Sequence, residues 1–194
     1  MHFYTKLKVH RLQVHYFVSD DLPSIEAELE TADGYRFVFF GVHPPPPSPT
    51  EEETSKERDG DLLSVAKRVR QSKHPVIITG DFNTVAWSRI SVLFKKASGL
   101  IDARYGRGYL ATFHAKYWFF RIPLDLLFHS AEVFVEKLRI LPAIGSDHFP
   151  ICCTFYIDKI NEEQKEDVKH LDRKEKEEVD DLIAEGKEEE SDSR

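Results

Sequence analysis

Strand and helix patterns alternate along this chain without separating into compositional blocks, which predicts one layered α/β domain. Two further observations bound that reading. With 194 residues, 41% of them hydrophobic, the chain can bury one real core and lacks the apolar material for a second. Charge is also segregated. Residues 158–194 carry 16 acidic and 8 basic side chains, a net of -8, so in a chain of net -7 the first 157 residues stand at +1. The predicted organisation is an ordered body over residues 1–157 and an acidic tail over residues 158–194, a weak surface helix or disordered.

His10 to Val18 alternates as a strand, and Ile25 to Leu29 does so again. After the turn signal Asp33-Gly34, Tyr35 to Val42 is nearly all apolar and predicts a buried hairpin arm. Pro44 to Pro47 and Pro49 remove backbone donors, so this strand stops at His43. Leu62, Leu63, Ala66 and Val69 recur at helical spacing between about Lys56 and Ser72. Pro75 to Thr79 reads as a buried strand leading into Gly80-Asp81-Phe82-Asn83. Trp87 to Ala97 resumes the helical period, with Gly99 as its stop. Gly106 to Phe120 predicts an aromatic loop, mainly packing as a wall near the site, though Tyr117 to Phe120 would suit a lipid or a base. Strands follow at Asp125–Phe128, Ala131–Leu141 and Ile151–Ile157.

The adjacent Cys152 and Cys153 lie in a strand pattern and point to opposite faces, which argues against a mutual disulfide. They read as small hydrophobes in a reducing, cytoplasmic compartment. No stretch reaches the roughly 18 apolar residues of a membrane span, and Met1 is followed by Lys6, Lys8 and Arg11 instead of an apolar signal core. No membrane contact is predicted for the chain as given.

Four places carry chemistry, each at a strand end. Asp81 and Asn83 stand two residues apart after an apolar strand. A carboxylate that organises water or a hard metal, beside an amide that donates to an oxygen, suits phosphoryl chemistry. Alone, the tetrapeptide is also an ordinary Asx turn. Asp147-His148 is a second doublet at a loop-to-strand junction. His43 closes a buried strand and is pinned by prolines. Asp125 interrupts an apolar run and needs a partner, for which His148 is the natural choice. Successive strands delivering groups to one sheet edge would produce this spacing.

Gly80-Asp81-Phe82-Asn83, then Asp125, then Ser146-Asp147-His148-Phe149-Pro150 resembles the endonuclease/exonuclease/phosphatase superfamily, over roughly residues 1–157. This group includes DNase I-like nucleases, exonuclease III-like abasic-site endonucleases, inositol-polyphosphate phosphatases and sphingomyelinases. The neighbouring Gly41-Val42-His43-Pro44 and Thr112-Phe113-His114 look closest to uncharacterised bacterial members. The resemblance implies a DNase I-like four-layer β-sandwich flanked by helices. It also implies hydrolysis of a phosphate ester, most simply a phosphodiester, by water assisted by Mg²⁺ or Mn²⁺. By the same resemblance His43 contacts the scissile phosphate, Asp81 orients or activates water, and Asn83 holds a non-bridging oxygen. Asp125 pairs with His148, and Asp147 helps bind the metal.

The family's early strands supply an Asn and a metal-binding Glu, and Glu26, Glu28 and Glu30 come too late to be that Glu. Residues 1–7 resemble an internal segment, so the chain reads as truncated at its N-terminus. An inner sheet left uncovered predicts self-association through an exposed face. The near-neutral body permits nucleic acid without indicating it. By the same resemblance, many of the longer relatives have membrane-spanning segments before the catalytic domain. The alternatives are a phosphomonoesterase for a small or lipid phosphate, and an incomplete fragment that only binds.

Overall fold

The computed structural model describes residues 1–46 and 54–192, so Pro47 and Pro49 of the proline run lie outside the described residues. Three strands open the chain: β1 (Lys8–His15), β2 (Ser24–Glu30) and β3 (Arg36–Val42). They pair antiparallel in sequence order, with Gly34 at φ 86° turning β2 into β3. Helix α1 (Thr54–Arg70) then carries the chain over to β4 (Val76–Asp81), which lies parallel to β3. Helix α2 (Arg89–Ser98) follows. Ser88 caps it by accepting from the Ser91 N–H, and Gly99 ends it in the left-handed region at φ 69°. The strands β5 (Ile101–Asp102) and β6 (Asp125–His129) complete a sheet of order β1-β2-β3-β4-β6-β5, while β7 (Val133–Ile140) and β8 (Ile151–Ile157) pair separately.

Strand alternation sorts the core into two layers. Val38, Phe40 and Val42 of β3, with Ile78 and Phe128, face the helices and pack on Leu62, Leu63, Leu93 and Phe94. Phe37, Ile77 and Leu127 face the other way and meet Val133, Val135, Leu138 and Ile157 of the second sheet. The architecture is thus helices, a six-stranded sheet and a two-stranded sheet, the α/β class the sequence predicts. On edge strand β1, Leu12 and Val14 stay more than half exposed, opposite Ala27 and Ile25 in register.

The segment expected as a weak surface helix or as disordered chain holds a helix packed on the body. After a single 3₁₀ turn (Glu163–Asp167), helix α3 (Arg173–Asp192) lies on α1 and buries Val179 and Ile183 in the helix-side core. Its start is a capping box: the Glu175 N–H donates to Asp172 Oδ1 at 2.9 Å, and the Asp172 N–H donates to Glu175 Oε2 at 3.1 Å. Its acidic residues are partners for cations on the other helices. Glu175 pairs with Lys96 and Arg89, Glu178 with Arg89, and Asp180 with Lys67. Glycines allow the close crossing: a Cβ on Gly186 would meet the Lys56 carbonyl oxygen at 2.7 Å. Among the described residues, no helix is long and apolar enough to cross a membrane.

Candidate active site

β4 and β6 run antiparallel with Asp81 directly opposite Asp125, so two carboxylates arrive at the same edge of the six-stranded sheet. Val42, the last residue of β3, is the register partner of Gly80 and delivers His43 to that edge. Only glycine serves at position 80, because a Cβ there would stand 1.9 Å from the Val42 carbonyl oxygen. Asp81 then folds the chain back on itself: its Oδ1 accepts from the Asn83 N–H at 2.9 Å, and Asn83 adopts φ 50°.

His148 comes from the loop before β8. Its Nδ1 lies 2.7 Å from Asp125 Oδ2 and its Nε2 lies 3.6 Å from Asp81 Oδ2. His43 approaches from the other side, its Nε2 4.0 Å from the same Asp81 oxygen. One carboxylate oxygen therefore faces two imidazoles, beyond direct hydrogen-bond reach of either, with Asp125 behind one of them. A cavity of about 300 Å³, lined in part by His43, Gly80 and Asp81, opens beside this set.

Electrostatics follow from burial and from these pairs. Burial raises the Asp81 carboxyl above the ordinary carboxylate range. The Asn83 N–H opposes that rise, the Asp125 charge adds to it, and the two histidines counter it. For His148, burial disfavours the charged ring, yet the bond to Asp125 and the charges of Asp125, Asp81 and Asp147 together lift it above its usual value. Asp147 is held low, chiefly by a backbone N–H.

Two of the expected residues make contacts that the sequence does not foretell. Asn83 donates its Nδ2 to the Pro44 carbonyl at 2.9 Å, so part of its amide is committed to tying the His43 segment to the β4 turn. Asp147 is exposed, and its Oδ1 accepts from Ser146 Oγ at 3.3 Å. Among the described residues, no three His, Cys, Asp or Glu side chains converge to hold a metal ion. A hard divalent cation takes about six oxygen ligands. Asp125 is committed to His148, and Glu26, Glu28 and Glu30 are each engaged by Arg or His side chains. The described residues therefore do not fit a Mg²⁺ or Mn²⁺ ion.

Two supporting residues had no individual role assigned from the sequence. Thr112, fully buried, accepts on Oγ1 from the N–H groups of Leu124 and Asp125, which fixes the Asp125 backbone. Phe113 packs its ring 4.9 Å from the His148 ring and bridges to it through the backbone. Thr112 stands two residues after Gly-Tyr-Leu, and only the long-range fold, which brings it under Asp125, shows its role.

The model of the endonuclease/exonuclease/phosphatase family matches residues 1–148. The chain belongs to that family. Among solved structures, the fold is similar to the human Nocturnin catalytic domain with bound sulfate, at 22% identity and TM-score 0.62, covering 78% of this chain and 60% of that one. It is similar also to a mannosyl-6-phosphatase of Bacteroides thetaiotaomicron, at 18% identity and TM-score 0.61, covering 78% and 68%. TDP2 of D. rerio complexed with single-strand DNA product matches at 17% identity and TM-score 0.62, covering 77% and 68%. At these identities the likeness is one of fold, and the chain spans less than two thirds of the Nocturnin domain. No curated protein matches the sequence.

Proposed function

We propose that this chain is a phosphate-ester hydrolase domain, acting most simply on a phosphodiester, with its reacting centre at Asp81 Oδ2. The observation that carries this reading is the line Asp125–His148–Asp81, with His43 closing the opposite side at 4.0 Å. Asp125 fixes the His148 tautomer by accepting from Nδ1–H and leaves Nε2 facing the cleft. Raised in basicity, His148 is the cation that donates from Nε2 to a non-bridging phosphoryl oxygen, and His43 donates from across the cleft. Water attacks phosphorus, Asp81 takes its proton, and the P–O bond to the leaving group breaks, the leaving oxygen taking a proton from solvent. A carboxyl raised by burial is a better base for that proton.

Metal-assisted attack is the family's usual route to charge neutralisation. The described residues lack a ligand set for it, and no step here runs through a metal. Asn83 acts by holding the Pro44 carbonyl and the Asp81 turn, and Asp147 accepts from Ser146 Oγ, which in turn accepts from the His148 N–H, so that it braces the loop presenting His148.

The test is steady-state hydrolysis of bis(p-nitrophenyl) phosphate beside p-nitrophenyl phosphate, each with and without Mg²⁺ or Mn²⁺. Diester turnover exceeding monoester turnover is the expected result. The reverse preference would make the chain a phosphomonoesterase, and no turnover of either by the folded chain would sink the reading.

A further inference from the structure

Above the Asp125–His148 pair stands a loop that the catalytic reading does not use. Residues 114–121 close on themselves by hydrogen bonds from the His114 N–H to the Phe120 carbonyl and from the Phe120 N–H to the Tyr117 carbonyl. The base is tied to the site: the Ala115 N–H donates to the Asp147 carbonyl at 2.6 Å, and the neighbouring Phe113 ring lies on His148. The tip is bare. Trp118 is 82% exposed and Phe119 72%, with Tyr117 and Phe120 near half. On the rim formed by the Ser146-Asp147-His148 loop, Ile144 is 76% exposed. The aromatic run expected to pack as a wall keeps Phe113 on His148 with Phe120 edge-on to Phe113, and turns Trp118 and Phe119 outward. Exposed apolar groups gathered beside a cleft mark a binding surface.

Ring geometry and flanking charge say what kind of surface. Trp118 and Phe119 cross at 90°, and Tyr117 meets Phe119 at 40°. The tip is an exposed aromatic knob, whereas single-strand nucleic-acid binders set stacking rings along a basic groove, which a body of net +1 does not indicate. Lys116 and Arg121, both exposed, bracket the knob, and the Arg121 guanidinium rests 4.9 Å from the Phe149 ring. Trp and Tyr with an apolar body and a polar tip, next to basic side chains that keep their charge in water, match the headgroup zone of a bilayer.

We infer that residues 116–121, together with Ile144, seat this domain on a phospholipid surface, so that the phosphate ester entering the cleft belongs to a lipid headgroup. The substrate clause rests on the phosphoesterase reading; the docking itself does not. It revises the expectation of no membrane contact, because a peripheral knob needs no spanning segment.

The experiment uses Trp87→Phe, which leaves Trp118 as the sole tryptophan, with phosphatidylcholine vesicles containing a minority of phosphatidylserine. Trp118 emission is expected to shift to the blue and to be quenched by brominated phosphatidylcholine. Co-sedimentation of the otherwise unchanged chain should weaken about tenfold or more in the double variant Trp118→Ser, Phe119→Ser. That variant should hydrolyse soluble bis(p-nitrophenyl) phosphate at the unaltered rate. Unchanged Trp118 emission with vesicles, in a chain that still hydrolyses the soluble diester, overturns the docking and spares the catalytic reading. Vesicle binding by a chain without esterase activity overturns the substrate clause alone. A response to a single-stranded oligonucleotide and not to vesicles assigns the knob to base stacking and overturns the proposal.

Discussion

His148 turns Nδ1 to Asp125 Oδ2 at 2.7 Å, and that one contact decides which nitrogen the ring offers to the cleft. Its energetic trace is a raised basicity, and a raised basicity is a dependence of stability on pH. Below the unfolded value of 6.5 the ring is charged in both states and the pair contributes in full. As pH rises through the higher folded value, the contribution is lost.

Asp125→Asn should therefore flatten the fall in urea midpoint between about pH 6 and about pH 8 relative to the unaltered chain. The His148 titration followed by NMR should move down in the same variant. An unmoved His148 titration would show that the pair does not set its protonation.

Asp61 should give the opposite kind of record. It is nearly fully buried in α1, accepts from the Val18 N–H at 3.2 Å, and burial pushes its carboxyl up to about 7. With the folded value above the unfolded 3.8, stability is greatest below 3.8 and declines until about pH 7, beyond which the penalty is constant. Asp61→Asn keeps an acceptor for Val18 without the charge. It should be more stable than the unaltered chain by about 1–3 kcal/mol at alkaline pH, with the gap closing as pH falls toward 4. A gap that stays constant with pH would contradict a neutral Asp61.

The docking of α3 predicts a difference between two of its own residues. Val179→Ala should cost about 1–3 kcal/mol by denaturant unfolding, because Val179 is buried against the helix-side core. Arg173→Ala should cost under about 0.5 kcal/mol, because that side chain is exposed. Equal costs would show that the helix contributes no packing.

The described residues lack a metal-ligand set, which predicts weak metal binding by the chain alone. Millimolar Mn²⁺ should leave its melting temperature unchanged, and Asp147→Ala should behave identically. A metal-dependent rise in melting temperature that disappears in Asp147→Ala would establish a site this structure does not display.

Much of this was legible in the sequence. Local signals placed the strands, the Asp33-Gly34 turn and the Gly99 stop. The strand-end positions of His43, Asp81 and Asp125 also brought them to one edge, since neighbouring strands share their ends, whereas His148 reaches that edge from the loop before β8 of the second sheet. What the sequence hid depends on distant partners. α3 reads as a polar field because its burial rests on only a few apolar residues and on cations from α1 and α2. Thr112 and the Asn83–Pro44 contact arise from loops that meet only after folding. The exposure of Trp118 and Phe119 was equally unreadable, because an aromatic run looks the same whether it packs or projects.

The central claim is that Asp81 Oδ2 is the reacting centre, and turnover of bis(p-nitrophenyl) phosphate by Asp81→Asn tests it most directly. Asparagine keeps an oxygen for the Asn83 N–H, so circular dichroism should be unchanged while the rate falls about 100-fold or more. A folded Asp81→Asn chain that turns over the diester as fast as the unaltered one would contradict the account.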